Sequence, residues 1–212
     1  MKKVTFLFVF FLSFSCGFAQ NEKELAANTD FLSYFPVLTQ KSKVDVKSCY
    51  KAVKKGTIPF EKINAIKHKE MLYMSADAET MKNWHIFPLG KYQISENIYL
   101  VLYFSDYMGG KRGGNELDHM LNITTLDISK STQIAANQGN DGEYINKSED
   151  VLMQLIDFGI DKKTITRNAD FVWKFVSESS VSLKSSWVYA DDSKKDKEFS
   201  ISWDKEGNLK FD

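Results

Sequence analysis

The chain has 212 residues, and 28 lysines and arginines balance 28 aspartates and glutamates, so its formal charge at pH 7 is zero. A protein without net positive charge has no long-range field to gather phosphates, which argues against nucleic-acid binding. Arg112 and Arg167 are the only arginines, so a site that clamps a phosphate or carboxylate between guanidinium groups is also disfavoured.

The first 19 residues have the three parts of a secretory signal peptide. Two lysines follow Met1, residues 4–14 form an apolar core, and Gly17 and Ala19 supply the small residues before a cleavage site. This apolar stretch is too short to span a bilayer, and no later apolar run is long enough. We therefore predict an exported mature chain that begins at Gln20. Its expected location is the periplasm, the outer membrane or the cell exterior.

Cys16 gives an alternative route of export. A lipoprotein signal is cut just before a cysteine that then carries the lipid, but the bulky Phe14 fits that pattern poorly. Cleavage after Ala19 leaves Cys49 as the single cysteine, so an internal disulfide is not possible. We interpret Cys49 as a small buried hydrophobic residue rather than a reactive thiol. We expect the mature chain, with a net charge of −2, to be a monomer.

The sequence predicts that residues 20–83 form a mixed segment with two short helices. One begins after Asn21 and ends by Pro36, because the residue before a proline avoids helical backbone angles. The other lies within residues 58–67, where apolar residues recur three apart.

From Trp84 onward the apolar residues recur every second position, which is typical of strands. A hairpin turns at residues 95–97, and its second strand, 98–104, is apolar on both faces, which predicts a central strand. Further strands are predicted at 120–128, 132–136, 151–156, 164–167, 171–176, 181–189, 199–203 and 209–211. Strands separated by turn clusters indicate a mainly β fold with antiparallel sheets, built as a sandwich, an open barrel or a propeller-like meander. We expect residues 20–212 to form one domain.

Three tryptophans, Trp173, Trp187 and Trp203, fall on successive predicted strands. They could form a platform on which sugar rings stack. Large aromatic side chains are also common core residues, so we predict that at least two of the three are buried.

The most unusual segment is 106–119, which follows the most apolar strand and contains four of the eleven glycines. Loops on a rigid sheet often carry binding groups. The candidate ligand-binding residues of this segment are Asp106, Lys111, Arg112, Glu116, Asp118 and His119. It is not a phosphate loop, because Gly114 is followed by Asn115 rather than by lysine. An idle hairpin connection is the alternative interpretation.

We expect no metal and no cofactor. The three histidines lack the spacing of a zinc site. An oxygen-rich stretch that begins at Asn137 fails the EF-hand pattern, because Gly139 and Ser148 occupy the third and twelfth positions. No nucleophile elbow is present. Two of the acidic residues in 106–119 could cleave a glycoside, but the chain has many other carboxylates.

The sequence therefore favours a non-catalytic binding protein of the bacterial cell envelope. Its ligand would be a protein, a glycan or another envelope component, and an inhibitor that shields the cell from an exported toxin belongs to this class. The alternative is a small secreted hydrolase that acts on a glycan or peptide through carboxylates. No catalytic residue is assigned.

Overall fold

The computed structural model describes residues 22–66, 84–107, 120–136, 169–188 and 194–212. Its helices are α1 over residues 22–33, α2 at Val46–Lys55 and α3 at Phe60–Asn64. Its strands are β1 (Lys43–Asp45), β2 (Trp84–Gln93), β3 (Ile98–Tyr107), β4 (Met120–Asp127), β5 (Thr132–Ala136), β6 (Ala169–Ser177), β7 (Ser180–Val188), β8 (Lys194–Trp203) and β9 (Leu209–Phe211). Strand residues predominate, which confirms the mainly β prediction.

The strands form two antiparallel sheets, with the orders β2-β3-β4-β5 and β1-β6-β7-β8-β9. Consecutive strands from β2 to β9 are neighbours, apart from the step from β5 to β6, which changes sheets. Strand β1 pairs with the distant β6 and places Val44 opposite Trp173. Six of the strands predicted after residue 119 correspond to β4–β9. The predicted strands at 151–156 and 164–167 lie outside the described residues.

The two sheets pack face to face around one hydrophobic cluster, so the architecture is a β-sandwich. Successive side chains of a strand point to opposite faces, and β6 accordingly buries Phe171, Trp173 and Phe175 while exposing Lys174 and Val176. Residues of β3 and β4 complete the cluster from the other sheet: Leu100, Leu102, Phe104, Leu121 and Ile123.

Two of the three tryptophans belong to this core. Trp173 and Trp203 are 0% and 6% exposed, which confirms that at least two are buried. The side chain of Trp187 lies outside the described part.

Helices α1 and α3 form a third layer on the outer face of the four-stranded sheet. Phe31 and Leu32 of α1 and Ile63 of α3 pack with Val101 and Tyr103 of β3 in a second hydrophobic cluster. Strand β3 is therefore buried on both faces, as its continuous apolar run predicts. Both predicted helices are present, α1 ending before Pro36 and α3 lying within residues 58–67.

The outer edge of β2 is covered by the segments that follow α1 and α2. The amide of Leu38 donates to the backbone oxygen of Lys91 over 2.7 Å, and the amide of Ile58 donates to that of Ile86 over 2.9 Å. Gly90 allows this cover, because a Cβ at that position would overlap with Cγ and both Cδ atoms of Leu38. The edge is thus protected from pairing with a second chain.

Helix α2 was not predicted, although its ends carry clear signals. Asp45 is the N-cap, with Oδ1 accepting from the amide of Ser48 over 3.1 Å, while Ser48 Oγ accepts from the amide of Asp45 over 3.1 Å. Gly56, with φ of 101°, ends the helix. Cys49 of α2 is 0% exposed and free, which confirms the interpretation of this cysteine as a buried residue.

Candidate functional site

The tight turns of both sheets meet at one end of the sandwich, which we call the turn end. Tyr92, beside the β2–β3 turn, contacts Phe175 and Trp203, beside the turns of the other sheet, at ring-centroid distances of 4.9 and 5.8 Å. The backbone oxygen of Gly207, in the β8–β9 turn, accepts from Thr125 Oγ1 of β4 over 2.6 Å. These contacts align the turn-bearing halves of the two sheets.

Acidic side chains fix two of these turns. Asp127 Oδ1 accepts from the amides of Ser129 and Lys130 over 3.0 and 3.2 Å, and Lys130 Nζ lies 3.0 Å from Asp127 Oδ2. Burial raises the pKa of the Asp127 carboxyl, but the bonds from Ser129 and Lys130 outweigh it and hold the pKa below its usual value. In the β8–β9 turn, Asp204 Oδ1 accepts from the amide of Asn208 over 2.8 Å. The turn end is therefore built from short, internally bonded segments.

The opposite ends of the same strands lead into four other connections, three of which have at least 12 residues. Residues 67–83 precede β2, residues 108–119 join β3 to β4, residues 137–168 join β5 to β6, and residues 189–193 join β7 to β8. We call this set of strand ends the connection end. The connections themselves lie outside the described residues.

Of the six predicted site residues, one lies in the described part of the structure. Asp106 lies in β3 at the connection end, directly opposite His85 of β2. Lys111, Arg112, Glu116, Asp118 and His119 lie between β3 and β4, outside the described residues, so their mutual arrangement stays a prediction. Their attachment points, Tyr107 and Met120, are at the connection end.

His85 was not among the predicted site residues. Its imidazole is half-buried and meets the Phe87 ring edge-on, with centroids 6.2 Å apart. Burial lowers the pKa of His85, so the ring is neutral at pH 7. A neutral imidazole can accept a proton or a hydrogen bond, so His85 gives this strand end a polar side chain that becomes charged when the pH falls.

A strand irregularity brings His85 opposite Asp106. Counted back from Gln93 opposite Tyr99, an unbroken register would place Ile86 across from Asp106. The register instead shifts between Pro88 and Gly90, and the partner becomes His85. Pro88 and Gly90 are the sequence signals for such a bulge, since both residue types are rare inside regular strands.

A second exposed surface is the outer face of the five-stranded sheet. Ser180 and Ser182 of β7 stand opposite Ser202 and Ser200 of β8, and we call these four residues the serine face. Beside them, Lys184 Nζ lies 2.9 Å from Glu198 Oε2, an exposed ion pair of the kind that contributes little to stability.

A cavity lies between α1 and the β4–β5 turn. Its volume is about 20 Å³, and its wall includes Asn28, Phe31, Leu126 and Ser131. This volume holds about one water molecule, too little for a metabolite.

Within the described residues, no group of three or more His, Cys, Asp or Glu side chains could hold a metal ion. Burial, with a smaller effect of the Asp45 carboxylate, raises the pKa of the Cys49 thiol, so the thiol is neutral at pH 7. No helix in the described part is both long and apolar enough to cross a membrane. Comparison with protein-family models, with curated proteins and with solved structures gives no match.

Proposed function

We propose that this chain is an exported, non-catalytic binding protein of the bacterial cell envelope and that it binds its ligand at the connection end. The observation that supports this proposal is the asymmetry of the sandwich: the four described hairpin turns are short and lie at one end, while three long connections start from the other. A rigid β framework with long connections at one end is a common arrangement of binding modules.

The connection between β3 and β4 supplies the polar groups for this role. Lys111 and Arg112 can donate to a ligand, whereas Glu116 and Asp118 can accept, so the segment suits a polar ligand such as a glycan or a protein surface. Four glycines in the same segment make its ordering costly in conformational entropy. A role in binding explains why a charged, glycine-rich segment follows the most apolar strand.

The proposal is tested with the mature chain and two matched sets of variants. One set shortens residues 109–114 or replaces Lys111 and Arg112 with alanine. The control set changes exposed turn-end residues, Glu178→Gln and Lys205→Ala. Purified peptidoglycan, outer-membrane lipids and the exported proteins of the source cell serve as separate immobilised ligands. Thermal unfolding is measured for every variant.

We expect the connection variants to keep the wild-type melting temperature but to bind one of the immobilised ligands no longer. The control variants should keep both the melting temperature and the binding. A single lost charged hydrogen bond should cost about 1–3 kcal/mol of binding free energy. Equal retention by all variants would remove the β3–β4 connection from the site. A lower melting temperature of the connection variants would mean that the segment packs against the core.

A secreted hydrolase of glycans or peptides is a second proposal, favoured by the neutral His85 across from Asp106. A neutral imidazole is the most common general base in enzymes. The test is the release of reducing ends from peptidoglycan, or of peptides from casein, by wild type and by Asp106→Asn, Glu116→Gln and Asp118→Asn. A release that falls by orders of magnitude in one variant would support a hydrolase. If the wild type releases nothing from peptidoglycan or casein, the chain is not a hydrolase of these substrates.

A further inference from the structure

We draw no further inference here: the strongest candidate, the serine face on the outer side of the five-stranded sheet, carries none because nothing in the described part of the chain shows what covers it.

Discussion

Asn28 of α1 donates through Nδ2 to the backbone oxygen of Ile128, 2.8 Å away, and thereby ties the N-terminal helix to the β4–β5 turn. The same amide group donates to Ser131 Oγ over 2.7 Å. Asn28 and Ser131 are 4% and 3% exposed, so these bonds are shielded from water. Ser131 also has a φ of 55°, a left-handed conformation in which a residue other than glycine is uncommon.

We expect Asn28→Ala to lower the free energy of unfolding by about 2–3 kcal/mol, because it leaves a buried carbonyl and a buried hydroxyl without their donor. Urea unfolding followed by tryptophan fluorescence measures the change. Thr29→Ala is the matched control, since Thr29 is exposed and its hydroxyl donates within the helix, to the oxygen of Leu25. Equal stabilities of the two variants would show that Asn28 does not hold the turn.

Gly90→Ala should destabilise the sandwich by about 1–3 kcal/mol, because the added methyl group overlaps with the buried side chain of Leu38. Leu38→Ala alone should also destabilise, by loss of buried apolar area. The double variant should be more stable than the sum of the two changes predicts, since the smaller side chain makes room for the methyl group. Strict additivity in chemical denaturation would contradict this close approach.

The Asp127 carboxylate should make stability depend on pH in the acid range. Its pKa in the folded protein lies below the usual value, so its contribution is complete above the ordinary pKa of about 4 and is lost as the pH falls through the folded pKa. Asp127→Asn should therefore cost about 1–2 kcal/mol at pH 7, through weaker hydrogen bonds and the lost ion pair with Lys130.

The difference between wild type and Asp127→Asn should shrink as the pH falls from about 5 to about 2. Unfolding midpoints measured across this range provide the test. Glu178→Gln makes the same charge change at an exposed turn position, and its difference from wild type should stay small throughout. An Asp127→Asn difference that is constant with pH would mean that the charge of Asp127 has no role in the turn.

The Cys49 thiol should be inert in the folded protein. Its side chain is 0% exposed, and burial raises its pKa, so the reactive thiolate is scarce. We expect an aromatic disulfide reagent to label Cys49 only at the rate at which the protein opens, and to label it at once in concentrated urea. A reducing agent should leave the unfolding midpoint unchanged, because Cys49 is free in the described part of the chain. Rapid labelling under native conditions would show that α2 opens readily.

Local patterns predicted the parts of this fold that depend on near neighbours. Strand β3 was recognisable because its burial on both faces requires an uninterrupted apolar run. The short α3 was recognisable from apolar residues three apart behind Pro59. In both cases the pattern reflects how a single element is buried, so one stretch of sequence is sufficient to predict that element.

The parts that were missed depend on distant partners or on small irregularities. Strand β1 has three residues and exists because β6, far along the chain, pairs with it. Helix α2 is lysine-rich, and its apolar side is only Val46, Cys49 and Ala52 with part of Tyr50 and Val53. At the candidate site, the position of Asp106 in the sequence was sufficient to place it near a strand end. His85 is its strand partner because the register shifts between Pro88 and Gly90, and the periodicity of the sequence does not reveal this shift.

The bond between Asn28 and Ile128 also determines how far the chain can be shortened from its N-terminal side. A chain that begins after Asn28 would lose the donor to Ile128 and Ser131. A chain that begins after Leu32 would also uncover the outer face of β3, where Val101 and Tyr103 pack with Phe31 and Leu32. A shortened form that folds should therefore keep the whole of α1.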